Sequence, residues 1–191
     1  MADFHTHHPS LKISFSLADS PTLHDLGTAD VMFHIGELHD SSLVRYPIAP
    51  NRRLLCASPR YLRRRPVPAV PEDLAQHECI ALRQNNEDVS LWKFMRGKTS
   101  RSVRIEPMFV SNDGDVVRQW AMQSKGLMIR SEWDVADAFK SGKLVHVLPD
   151  WELASGDVVA LVPQRKGMSA RVKAFIAFVS ERFSPQPPWR L

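Results

Sequence analysis

The residues best placed to do chemistry lie in one short polar turn, Ser111–Asp115. The turn follows an alternation of polar and apolar residues over Arg101–Val110, which predicts a strand, and precedes apolar residues at helical spacing from Val116 onward. Backbone amides at the start of such a helix offer donors and a partial positive charge to an anion such as a carboxylate. A simple polar helix cap is the alternative interpretation. Asp113 and Asp115 would repel a carboxylate unless they point away or bind cations, so a neutral polar ligand fits equally.

Other catalytic and cofactor motifs do not assemble in this sequence. The string Gly97-Lys98-Thr99-Ser100 looks like the end of a phosphate-binding loop, but the required earlier glycine would stand at position 92, which is Trp92. No Gly-x-Ser-x-Gly or His-Glu-x-x-His motif occurs, which is modest evidence against an enzyme. The three histidines in residues 5–8 have only Asp3 as a further ligand nearby, so we expect neither a metal site nor a cofactor.

The composition is that of a globular chain. Its 191 residues are 43% hydrophobic, which suits one domain or two small lobes. No apolar run reaches the roughly 18 residues of a membrane span, and residues 1–11 lack the apolar core of a signal peptide. We therefore expect a cytoplasmic protein in which Cys56 and Cys79 are reduced and packed.

Positive charge is concentrated in one stretch. The formal net charge is +4, and six arginines lie between positions 52 and 65. Such a cluster could contact phosphate in a nucleic acid, whereas a basic helix face is usually just solvated. We favour the solvated surface.

Short strands alternate with helices along the chain. Alternation over Leu11–Leu17 predicts a strand with one buried face. Ser58 followed by Pro59 predicts the start of a short helix, and Ser131 is expected to cap another that Gly142 ends. Further strands are predicted over 29–35, 79–82, 126–129, 144–148 and 158–162, a short helix from 71 and a last helix over 172–183. This order favours an α/β fold with mainly parallel sheets, in which ligands bind outside the carboxyl ends of strands.

An ordered series of segments carries a family resemblance. The segments are Phe4–Pro9, Ala29–Gly36, Leu43–Leu62, Pro71–Leu74, His77–Ile80, Ser111–Asp115, Lys125–Ile129 and Ser141–Trp151. Each is weak alone, and Leu43–Arg60 is the most specific. In this order they resemble the C-terminal effector-binding, or substrate-binding, domains of LysR-type transcriptional regulators over nearly the whole chain.

The resemblance implies an α/β, two-lobed fold of the periplasmic-binding-protein-like type 2 class, with crossover strands between the lobes. Lobe 1 would be discontinuous, built from residues 1–51 and 155–191, and residues 52–154 would form the inserted lobe 2. A ligand would bind in the cleft between them. Residues 184–191, rich in proline, are expected to be a disordered tail.

The same resemblance nominates ten ligand-binding residues at the ends of strands. They are Asp19, Ser20, His34, Ile35, Gly36, Asn112, Asp113, Gly114, Arg130 and Ser131. Each is also explained as ordinary loop, cap or solvent-exposed chemistry. Many relatives have an arginine at the position of His34, so a permanent carboxylate clamp would be replaced by a group that titrates near neutral pH.

The implied function is that of a sensor. A small-molecule effector, with a carboxylate as one candidate, would bias the arrangement of the regulator's subunits on DNA, and the chain would self-associate through the effector domain. Contact with DNA would need a winged helix-turn-helix, which we expect to be absent here together with the first strand of lobe 1. That absence would leave backbone groups of lobe 1 without their usual partners. The alternatives are a solute-binding protein, a small-molecule enzyme and a non-functional truncated regulator.

Overall fold

The computed structural model describes residues 1–17, 29–36, 42–83, 88–164 and 168–190. In these ranges the helices are α1 (Ala2–His7), α2 (Pro59–Leu62), a 3-10 turn (Pro71–Gln76), α3 (Gly114–Met122), α4 (Glu132–Lys140) and α5 (Ala170–Glu181). The strands are β1 (Met32–Ile35), β2 (Leu43–Ala49), β3 (Arg53–Ala57), β4 (Cys79–Leu82), β5 (Leu91–Arg96), β6 (Thr99–Arg104), β7 (Pro107–Ser111), β8 (Leu127–Ser131), β9 (Val145–His146), β10 (Glu152–Leu153) and β11 (Val158–Pro163). No described helix is both long enough and apolar enough to cross a membrane.

The chain divides into two compact units. The discontinuous unit contains residues 1–50 and 157–188, and the inserted unit contains residues 51–156 and 189–191. The described residues of the discontinuous unit form one sheet and those of the inserted unit form two, and each unit has its own buried side chains.

The discontinuous unit is a helix-covered antiparallel sheet. Strand β11 lies between β1 and β2 and pairs with both, with His34 opposite Val159 and Arg45 opposite Leu161. Val172 and Ile176 are the buried residues of α5, and Ser169 caps that helix by accepting a hydrogen bond from the Val172 amide at 3.3 Å. Helix α1 buries Phe4, whose ring centroid lies 5.0 Å from that of Phe175 on α5.

The strand predicted over Leu11–Leu17 does not form. These residues have no regular secondary structure, and Ile13, Phe15 and Leu17 are exposed. Alternating side chains make a strand only where a neighbouring backbone completes the hydrogen-bond ladder, and no described strand pairs with this segment. The prediction therefore failed because the partner is missing from the described chain, while the alternation itself is real.

The inserted unit is built on a mixed sheet in the order β7-β4-β8-β3-β9. Strand β4 is parallel to β7 and β8, whereas β3 is antiparallel to β8 and β9. Helices α3 and α4 cover one face, where Val117 and Val135 pack against Ile80. The second sheet, β10-β5-β6, covers the other face, where Phe94 belongs to a core with Leu55. Burial on both faces holds β8 in place, with Leu127, Met128 and Arg130 buried.

The expectation of mainly parallel sheets is wrong, since among the described strands only the pairs β4–β7 and β4–β8 are parallel and the other pairs are antiparallel. Strands β5 and β6 form an antiparallel hairpin that the sequence reading missed, with Gly97 in its turn at φ +56. A two-residue connection of this kind can join only antiparallel strands.

The strand predicted over Arg101–Val110 is in fact two strands in different sheets. Strand β6 ends at Arg104, the Ile105 amide donates to the Ser90 carbonyl at 2.8 Å, and β7 begins at Pro107. Proline has no amide hydrogen to continue a ladder, so the chain changes sheets at this point.

The C-terminal residues differ from the expected disordered tail. Trp189 and Arg190 belong to the inserted unit and are half-buried, and Arg190 Nη1 lies 3.0 Å from Glu132 Oε2. The prediction failed because proline content says nothing about an ion pair that forms with a residue distant in sequence.

Other local predictions are confirmed. Ser58 caps α2 by accepting a hydrogen bond from the Tyr61 amide at 3.2 Å, with Pro59 at the first helical position. Cys56 and Cys79 are free and buried, and burial raises the pKa of the Cys79 thiol to about 12. Both cysteines are therefore packed side chains with little thiolate.

Candidate functional site

Three parallel strands bring the predicted residues of the inserted unit to one edge of its sheet. Strands β7 and β8 flank β4, Leu82 is opposite Ser111, and the Arg83 amide donates to the Ser111 carbonyl at 2.8 Å. Strand β8 ends at Ser131, just after Arg130. The carboxyl ends of parallel strands are where an open α/β sheet binds ligands.

Asp113 is the N-cap of α3. Its Oδ1 accepts hydrogen bonds from the amides of Asp115 and Val116 at 2.8 and 3.0 Å, and its own amide donates to Ser111 Oγ at 3.0 Å. Two of the amides that we expected to offer to an external anion are thus bonded to a carboxylate of the chain itself. Asp113 thus caps α3, and Asn112 beside it is exposed.

Gly114 and Arg130 are in direct contact. A β-carbon at position 114 would lie 2.6 Å from Cζ of Arg130, so a side chain at this position would force the guanidinium to move. The guanidinium group is therefore packed under the first turn of α3, and Arg130 is only 8% exposed. The sequence nominated both residues separately, and the structure brings them together.

Arg130 belongs to a chain of alternating charges. Its Nε donates to Asp134 Oδ2 at 2.7 Å, Asp134 Oδ1 lies 3.6 Å from Arg118 Nε, and Arg118 pairs with Asp115. The hydrogen bond that Arg118 donates to Asp115, together with the nearby charge of Asp134, raises the pKa of Arg118. Since Nε of Arg130 faces Asp134, its two terminal nitrogens lie at the α3 end of the site. This network fixes the guanidinium in one orientation.

Ser131 occupies the N-cap position of α4 but does not bond to its amides. Its Oγ instead accepts a hydrogen bond from Asn51 Nδ2 at 3.1 Å, and the same nitrogen donates to the Gly156 carbonyl at 2.8 Å. The expected helix cap is therefore wrong in its contacts. Ser131 ties the end of β8 to the two points where the chain enters and leaves the inserted unit.

Glu132 is a buried charge that sequence reading missed. It is fully buried, accepts a hydrogen bond from Arg52 Nε at 3.0 Å and pairs with Arg190. The hydrogen bond to Glu132 raises the pKa of Arg52, and burial together with Arg52 lowers the pKa of His146. Glutamate is common in the first turn of a helix, where it interacts favourably with the helix dipole. Nothing in the local sequence therefore indicates that Glu132 is buried.

The remaining predicted residues lie elsewhere. His34 and Ile35 end β1 in the discontinuous unit, and Gly36, with φ +99, donates its amide to the Asp157 carbonyl at 3.0 Å. Asp19 and Ser20 lie outside the described residues. Among the residues that the structure describes, no three His, Cys, Asp or Glu side chains converge as a metal site.

Comparison with known proteins assigns the class. The profile of the LysR substrate binding domain matches residues 1–184, and the chain belongs to that family. It is homologous to the effector-binding domains of LysR-type transcriptional regulators, with their periplasmic-binding-protein-like type 2 fold, so the predicted fold and family are confirmed and the solute-binding alternative is not favoured.

Individual relatives are similar over most of this chain. The HTH-type transcriptional activator TtdR of Escherichia coli is 30% identical over 173 residues, 91% of this chain and 56% of TtdR. The HTH-type transcriptional regulator DmlR of Escherichia coli is 28% identical over 183 residues, 95% of this chain and 59% of DmlR. The chain thus spans little more than half the length of these regulators. The solved regulatory domain of AphB from Vibrio vulnificus is 26% identical with a TM-score of 0.73, covering 93% of this chain and 87% of that domain.

Proposed function

We propose that the chain is the ligand-sensing part of a transcriptional regulator. Its two compact units serve as the two lobes of that domain, and the domain binds a small-molecule effector. Support comes from the family match over residues 1–184 and from relatives that are transcriptional regulators. The proposed ligand contacts in the inserted unit are Asn112–Gly114 and Arg130–Ser131, and those in the discontinuous unit are His34–Gly36.

The main structural support for this site is the position of the Arg130 guanidinium, which packs against Gly114 at the carboxyl ends of β7 and β8. Arginine offers planar donors to carboxyl, amide or carbonyl oxygens. Three aspartates at positions 113, 115 and 134 outnumber the two arginines of the network at 118 and 130. This balance disfavours a strongly anionic ligand. The effector we propose is small and polar, either neutral or with a single carboxylate.

Regulation follows from differential binding. An effector that binds one conformation of the chain better than another shifts the population toward that conformation. In the intact regulator that shift would alter how subunits assemble on DNA, with a helix-turn-helix domain of the kind named in TtdR making the DNA contact. We propose a cytoplasmic, self-associating, non-enzymatic protein.

Thermal unfolding of the purified chain tests the proposal. The ligand panel pairs small carboxylic acids with their own amides, which have nearly the same shape but no charge. A ligand present at about 100 times its dissociation constant adds about 2.7 kcal/mol of stability, a shift that is easily measured. We expect one structural class to raise the midpoint, with the amide or monoacid at least as effective as the diacid. A cooperative transition that no member of a broad metabolite panel moves would contradict the sensor function.

A further inference from the structure

Three exposed arginines, Arg60, Arg63 and Arg64, form a basic surface on helix α2 of the inserted unit. We propose that this surface binds the phosphate backbone of double-stranded DNA without sequence preference. A contact with the backbone needs only positive charge, whereas a sequence-specific contact needs groups that reach the bases. The proposal concerns the inserted unit alone and does not depend on the ligand site.

The local structure of α2 places the three arginines on one face. The helix spans Pro59–Leu62, Arg63 continues it with helical backbone angles, and the Arg64 amide donates to the Tyr61 carbonyl at 3.0 Å. Residues three and four apart on a helix are neighbours, with about 5–6 Å between their β-carbons. Tyr61 packs into the core at 4% exposure, and its hydroxyl donates to Glu78 Oε2 at 2.7 Å. The basic surface is therefore carried by an anchored turn.

The acidic residues that follow this surface in the sequence are engaged elsewhere. Positions 41–71 contain no aspartate or glutamate. Glu72 pairs with Arg101, and the Asp73 carboxylate accepts hydrogen bonds from two backbone amides at 2.8 and 3.1 Å. The positive charge of the surface is thus not neutralised by these carboxylates.

The neighbouring Arg65 shows the contrast, because it forms an ion pair with Glu78. In the ranges that the structure describes, Arg60, Arg63 and Arg64 take part in no ion pair. Like charges three and four residues apart repel each other and destabilise a helix. The cluster therefore does not stabilise α2, and an anionic partner would remove the repulsion. The sequence alone favours a solvated surface, and the lack of acidic neighbours is what favours a polyanion instead.

Charge density and the absence of a stacking platform identify the partner as a duplex. Double-stranded DNA carries about one negative charge per 1.7 Å of its axis, dense enough to face all three arginines at once. The planar guanidinium group matches the geometry of phosphate oxygens. A single strand is held in addition by bases that stack on exposed aromatic rings, and Tyr61, the one aromatic residue in positions 52–71, is buried. Small phosphates bind in concave pockets, whereas an exposed helical turn is convex.

Fluorescence anisotropy of a labelled DNA duplex of arbitrary sequence, titrated with the full chain over a salt series, tests the proposal. Each neutralised phosphate contributes about −0.9 to the slope of log K against log salt concentration, so three contacts predict a slope of about −2.7. The affinity of the wild-type chain should then fall about 40-fold between about 50 and 200 mM salt.

Variants of the basic surface separate its charge from the fold. Arg60→Gln/Arg63→Gln/Arg64→Gln should lose binding, and each single glutamine variant should flatten the slope by about 0.9. The corresponding triple lysine variant keeps three charges that can contact phosphate, so it should retain the wild-type slope. Circular dichroism of every variant checks folding.

The matched control removes the same total charge from exposed positions outside the basic surface. Lys93→Gln/Lys98→Gln/Lys173→Gln changes three exposed lysines and should bind the duplex like the wild-type chain. An equal loss of binding in this control would show that net charge, rather than α2, attracts the DNA, and would overturn the proposal.

The remaining contrary results concern the partner. A wild-type chain that does not bind the duplex at about 50 mM salt, or whose slope is smaller than about 1 in magnitude, would rule out a three-phosphate contact. Tighter binding to a single strand of the same sequence would make the partner single-stranded. Tighter binding to polyglutamate or to phosphatidylserine vesicles would assign the surface to an acidic protein or to a membrane instead.

Discussion

Position 114 has no room for a side chain while the Arg130 guanidinium stays in place. In Gly114→Ala the new methyl group would collide with the Arg130 guanidinium, which Asp134 holds in place. Overpacking of this kind costs about 1–3 kcal/mol, so we expect lower stability and loss of the ligand-induced thermal shift. The double variant Gly114→Ala/Arg130→Ala should recover part of the stability, because the clash is gone. Val116→Ala, on the exposed face of α3, is the control, and additive effects in the double variant would contradict the contact.

Arg52 is one of the two arginines that donate hydrogen bonds to the buried carboxylate of Glu132. Arg52→Ala leaves the carboxylate with fewer donors, and a partly unsatisfied buried group costs about 1–3 kcal/mol. Arg60→Ala removes the same charge from an exposed position and should change stability by no more than about 0.5 kcal/mol. Urea unfolding measures both. Equal and small effects would show that Glu132 does not need Arg52.

At the start of helix α3, two substitutions of Asp113 distinguish the effect of its capping hydrogen bonds from the effect of its negative charge. Asp113→Ala should cost about 1 kcal/mol, because the amides of Asp115 and Val116 lose their acceptor. Asp113→Asn should keep the wild-type stability, since asparagine caps as well as aspartate. With one negative charge fewer, it should also bind carboxylate ligands more tightly. An asparagine variant as unstable as the alanine variant would show that the charge, rather than the cap, stabilises the helix.

Local chemistry made some elements predictable. The caps at Ser58 and Asp113 depend on residues within three positions, so the sequence contains the whole interaction. The hairpin β5–β6 and the division of Arg101–Val110 into two strands depend on which sheet each strand joins, and that is decided by distant partners. The strand predicted over Leu11–Leu17 is wrong for the same reason, because its alternation is local whereas a strand needs a partner, and no described strand pairs with it. Among the site residues, the sequence could nominate Gly114 and Arg130 but could not show that they touch.

At the scale of the whole molecule, stability should fall on mild acidification. Burial lowers the pKa of His77, and burial with Arg52 lowers that of His146. The folded chain therefore binds fewer protons at these sites than the unfolded chain, so stability is complete above the unfolded pKa of about 6.5 and declines below it. Glu78, whose pKa is lowered by the hydrogen bond from Tyr61, extends the decline below its ordinary value of 4.5.

Urea midpoints at pH 7.5 and 5.5 measure this effect. The double variant His77→Gln/His146→Gln should show a flatter dependence over that interval, whereas the further loss at lower pH should remain. An unchanged slope in the double variant would assign the pH dependence to other groups.

We propose that a small ligand binds at the edge formed by the ends of β7 and β8. The most direct measurement is a titration of the isotope-labelled chain with an effector from the thermal panel, followed by amide chemical shifts in two-dimensional NMR. The amides of Asn112, Gly114, Arg130 and Ser131 should shift together with one dissociation constant, and Gly114→Ala should abolish the shifts. Saturable binding that leaves these four amides unmoved would contradict it.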